Sequence, residues 1–128
     1  MLPVDFDELG RSVVTTWRSA GGQPERFADV AVDALSAARL HVRLRHEDVL
    51  RWAIQAPRLP RQASQDFGEP PLTVFDDGEV FIQVLTWLDG TTSIHDHGFA
   101  GAFCLLQGAS CHTRYAFRSQ GVLSLIHI

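Results

Sequence analysis

His95 and His97 are the residues whose type and spacing point most directly to chemistry. In an extended strand, side chains alternate between the two faces, so two histidines two positions apart project from the same side. Their imidazoles are then placed to share one metal ion. Imidazole suits Fe, Ni, Cu, Zn and Mn alike, so the pair alone does not name the metal. Asp96 between them points away from such an ion and is expected to act as an acceptor that orients a neighbour.

Other candidates are weighed against packing or solvation. His112 lies on the following apolar stretch and is expected to be a satisfied core or surface histidine, with ligation or substrate contact as the alternative. His41 and His46 belong to a helical region and are expected to be solvated. Tyr115 is read as an amphipathic strand residue, although a phenol titrating near ~10 would remain a proton donor at neutral pH. Cys104 and Cys111 straddle a turn signal at Gly108, which is compatible with a cross-strand disulfide without indicating one; two free, buried thiols are expected. Trp17, Trp52 and Trp87 are assigned to packing.

The elements that must position these groups follow from periodicity. The chain has 128 residues, 45% hydrophobic and 20% charged, the size and composition of one globular domain. Phe6, Leu9, Val13 and Trp17 fall at helical spacing within Asp5 to Ser19, with Asp5 and Glu8 as a capping pair and Gly21-Gly22 as the stop. A second helix is predicted from Pro24 to about Leu40, and a third from His46 to Gln55, closed by Pro57 and Pro60. After a connection from Ala56 to Pro71 the period changes to two. Leu72 to Phe75 and Glu79 to Trp87 flank Asp76-Asp77-Gly78 and predict a hairpin. Further strands are predicted around Thr92 to His97, Gly101 to Leu106 and Cys111 to Phe117, arguing for an antiparallel sandwich or barrel.

Composition narrows the partners. The net charge is −4, and all 11 basic residues are arginines, nine of them before residue 62 with eight acids interleaved. That pattern builds no contiguous basic stripe, so nucleic acid is not expected as a partner. There is no basic leader followed by an apolar run, nor the roughly 20 apolar residues of a membrane span, so the expected compartment is the cytoplasm.

The segment Asp89 to Gly108 resembles the first conserved motif of the cupin superfamily. The string Trp87-x7-His95-Asp96-His97, ending in Leu105-Leu106-Gln107-Gly108, is similar to the thiol dioxygenases of the cysteine dioxygenase type. The resemblance implies a mainly β protein in which about three N-terminal α-helices precede a cupin jelly-roll barrel. It also implies a mononuclear non-haem Fe(2+) held by three histidines, His95 and His97 being the first two, with O2 and a small thiol as substrates. The third histidine would come from a later motif that this sequence does not contain, so the barrel is expected to be incomplete. On this reading residues 1–60 form a helical layer, 61–123 the first part of the barrel, and 124–128 a non-native tail.

Two departures bear on substrate. The family's Cys or Glu position falls at Gly101 or Ala102, neither of which can ligate or crosslink, and its carboxylate-binding Arg falls at Pro70. An amino-acid carboxylate buried without a cation is costly, which argues against L-cysteine itself. The functional expectation is therefore an iron-dependent thiol-dioxygenase-like protein, the alternative being a non-catalytic metal- or ligand-binding cupin domain.

Overall fold

The computed structural model describes residues 4–62, 71–87, 99–111 and 114. Helix α1 spans Phe6–Ser19. The Asp5 carboxylate accepts the Glu8 N–H at 3.1 Å, satisfying one of the donors that every helix start leaves open. At the other end the backbone turns through Gly21 and Gly22, both at positive φ, where a side chain would be strained. The Trp17 indole N–H donates to the Gln23 carbonyl at 2.8 Å and the ring meets Phe27 edge-on at 5.4 Å, so one residue both closes this turn and begins the contact with the next helix.

Helix α2, Pro24–Ala38, starts with proline in its first turn and ends two residues before the expected limit. Arg39 adopts the left-handed conformation at φ 49°, and the one-turn helix α3, Leu40–Arg43, follows. The Arg43 guanidinium donates to the Ala38 carbonyl at 3.1 Å, filling one of the acceptors left at the end of α2. Helix α4, His46–Gln55, opens with the Arg45 N–H donating to Asp48 Oδ2 at 3.1 Å.

Strands β1, Pro71–Asp76, and β2, Phe81–Leu85, pair antiparallel as the predicted hairpin. Asp76 Oδ1 accepts from the Gly78 N–H at 2.8 Å; Asp77 Oδ1 accepts from the N–H groups of Glu79 at 3.0 Å and Val80 at 2.8 Å. The register slips between Thr73 and Phe75, placing an extra residue, Val74, in β1. As a result Thr73, Val74 and Phe75 are all buried, where a simple alternation would have exposed one face.

The bulge feeds two hydrophobic clusters. Val74 joins Val4, Phe6, Leu40, Leu44 and Val49, with Trp52 meeting Phe6 edge-on at 5.5 Å. Phe75 joins Val13, Val14 and Val80, with Trp17, Phe27, Val30 and Ala34 packed around them. Helix α1 contributes Phe6 to the first cluster and Val13 and Val14 to the second, so the helices and the hairpin share one interior.

The expected mainly β fold with an incomplete jelly-roll barrel is overturned. The described residues form a helical protein with one two-stranded sheet. The predicted strand from Gly101 to Leu106 is irregular, as is Cys111; the strand around Thr92 to His97 and the rest of the one from Cys111 to Phe117 lie outside the described residues. The cause is legible in the segment itself. Phe99 to Leu106 is a contiguous apolar run, and such a run specifies neither a strand nor a register, because the buried and solvent faces are not distinguished. Phe99, Phe103 and Leu105 are exposed, while Leu106 packs onto the first cluster. Two strands do not stand alone in water, and here the helices supply the packing that further strands were expected to give. No helix among the described residues is long and apolar enough to cross a membrane.

Candidate functional site

Strand β2 ends at Leu85 and is followed by Thr86 and Trp87, the residue at which the histidine-bearing sequence begins. On its far side, the described chain resumes at Phe99, whose ring lies 6.4 Å from that of Phe81 at the start of β2. The segment after the histidines is thus brought back against the hairpin that precedes them. His95, His97 and Asp96, together with His112, Tyr115 and Pro70, lie outside the described residues, as does the 124–128 tail.

The flanks of the stretch are held by specific contacts. His46 Nε2 and Thr86 Oγ1 are hydrogen-bonded at 3.2 Å, tying the first residue of α4 to the end of β2. The expectation that His46 is simply solvated is corrected: it is half-buried and engaged, whereas His41 is exposed. Nothing local marks this in the sequence, because the partner lies 40 residues away. Trp87, assigned to packing, is 39% exposed.

Thr73, 2% exposed, is the polar group at the centre of the hairpin's support. Its N–H donates to Gln62 Oε1 and its carbonyl accepts from Gln62 Nε2, each at 2.9 Å, so one side-chain amide occupies the place of a neighbouring strand. Gln83 Nε2 donates to the Thr73 hydroxyl at 3.2 Å across the sheet.

Gly101 is exposed and Ala102 half-buried. Among the described residues, a Cβ at Gly101 would meet the Phe99 ring at 3.6 Å, an ordinary contact. Gly108 does require glycine, with φ at 92°. Both cysteines are free and exposed, correcting the expectation of buried thiols. Neighbouring atoms nevertheless withdraw enough water to push the Cys104 thiol above its ordinary value. Arg114 is exposed.

The Asp77 carboxyl is held below its ordinary value by the Val80 N–H, against a smaller opposing effect of burial and with help from the Glu79 N–H and the Arg18 charge. Arg18 Nη2 donates to Glu79 Oε2 at 2.9 Å, tying α1 to the hairpin turn with both side chains in solvent.

An open groove of about 850 Å³ runs between α1, the Arg58–Pro60 segment and β1, lined by Phe6, Trp52 and Val74 and edged by Asp7, Arg11 and Asp76. Among the described residues that line it there is no histidine or cysteine. Among the described residues, no group of three or more histidines, cysteines and acids gathers to hold a metal. For ferrous iron, the donor chemistry of His95 and His97 is suitable. Comparison of the chain with protein-family models, with curated proteins and with solved structures found no match.

Proposed function

We propose that this protein holds a non-haem ferrous ion through His95 and His97 and oxidises a small thiol with O2. The observation that carries this reading is the His95-Asp96-His97 spacing within the Trp87 to Gly98 stretch, which resembles the first metal-binding motif of thiol dioxygenases. The reading rests on that stretch and not on a barrel. Iron, when bound, supplies the redox chemistry that lets dioxygen react with a thiol; the chain's part is to hold the ion and limit which thiols approach. With glycine and alanine at 101 and 102, the protein contributes neither an extra carboxylate ligand nor a thioether crosslink at those positions.

The test is anaerobic reconstitution with Fe(II), followed by oxygen-uptake measurements with cysteine, cysteamine, 3-mercaptopropionate and a peptide bearing an N-terminal cysteine. Uptake with at least one thiol, lost in His95→Ala and His97→Ala, is the expected result. No uptake with any of them overturns the dioxygenase reading.

Glycine and alanine at 101 and 102, where the resemblance would place a Cys or Glu, favour a second reading, a metal- or ligand-binding domain without turnover. Stoichiometric binding of Zn or Mn in preference to Fe, with no oxygen consumed, would select it.

A further inference from the structure

We draw no further inference here: the strongest candidate, the exposed apolar surface where Phe99 lies against Phe81 of β2, carries nothing because nothing in the structure shows what covers it.

Discussion

The ring of Phe75 in β1 lies directly against the backbone of Gly10 in α1: a Cβ built on Gly10 would stand 2.4 Å from Cδ1 and Cγ of that ring. Glycine in a helix interior is normally a loss of about 1 kcal/mol relative to alanine, so its presence here reflects the space the ring requires. Phe75 is 5% exposed and enclosed by Val13, Val14 and Val80, which leaves the ring little room to withdraw.

Gly10→Ala is accordingly expected to destabilise the protein. Overpacking costs about 1–3 kcal/mol, against about 1 kcal/mol gained in helix propensity. A urea midpoint equal to or above the parent's would show that the ring does not sit there. Combining Gly10→Ala with Phe75→Leu should cost less than the sum of the two single changes, since shrinking the ring makes room for the methyl group.

Gln62 closes the outer edge of β1 at Thr73. Truncation to alanine leaves a buried N–H and C=O without their partner, a loss of about 1–3 kcal/mol. Gln62→Glu retains an acceptor for the N–H but sets a carboxylate against the Thr73 carbonyl, so it should be no better. Amide hydrogen exchange at Thr73 is the direct readout: its protection should fall in both variants, and unchanged protection would mean that the amide pair contributes nothing.

Asp77 gives the hairpin a dependence on acid. Its folded pKa is lowered from 3.8 chiefly by the Val80 N–H. The stability it contributes is therefore fully present above the unfolded value and is lost as the pH falls through the lower folded value. Asp77→Asn keeps the neutral-pH hydrogen bonds through its amide oxygen and should flatten this part of the acid titration of stability. Asp77→Ala, which also removes the acceptor, should lower stability at neutral pH by about 1 kcal/mol. Parallel urea titrations between neutral pH and pH 2 distinguish the three proteins.

The His46–Thr86 hydrogen bond should register as a coupling rather than as two independent losses. A double-mutant cycle with His46→Ala and Thr86→Val is expected to give an interaction of about 0.5–1.5 kcal/mol, the range of a net hydrogen bond. Strict additivity in the thermal or urea midpoints would remove the link between α4 and the end of β2.

For the proposed metal site, cobalt(II) is a spectroscopic substitute for iron. Its visible absorption should appear on titration of the parent protein and disappear on chelation. His95→Ala and His97→Ala should each weaken binding by at least about 10–100-fold, the loss seen when only a supporting partner of a ligand is removed. Two variants that bind as the parent does would exclude the pair as ligands.

How much of this was legible depends on how far apart the interacting residues are. Helices α1 and α4 and the β1–β2 hairpin follow from local signals: apolar spacing, Asp5 at the start, Gly21-Gly22 at the stop, and Asp76-Asp77-Gly78 between two β-rich runs. The break at Arg39 was not legible, because a left-handed residue that is neither glycine nor asparagine carries no composition cue. Gly10 carried one: an isolated glycine inside a helical pattern signals a packing demand, although only the fold identifies Phe75 as its source. The apolar run after Phe99 misled because, without alternation, it fits a buried strand as well as the irregular segment observed.

By itself the sequence determined the local elements and one chemically suggestive pair, His95 and His97, since dihedral preferences, caps and turn chemistry act over a few residues. Tertiary structure alone decided that the bulge at Val74 splits β1 between two clusters, that Gln62 takes the place of a strand, that His46 is tied to Thr86, and that helices cover the hairpin where a barrel was expected. Each of these depends on which apolar surfaces meet, and burial is non-directional, so it leaves no local signature in the order of residues.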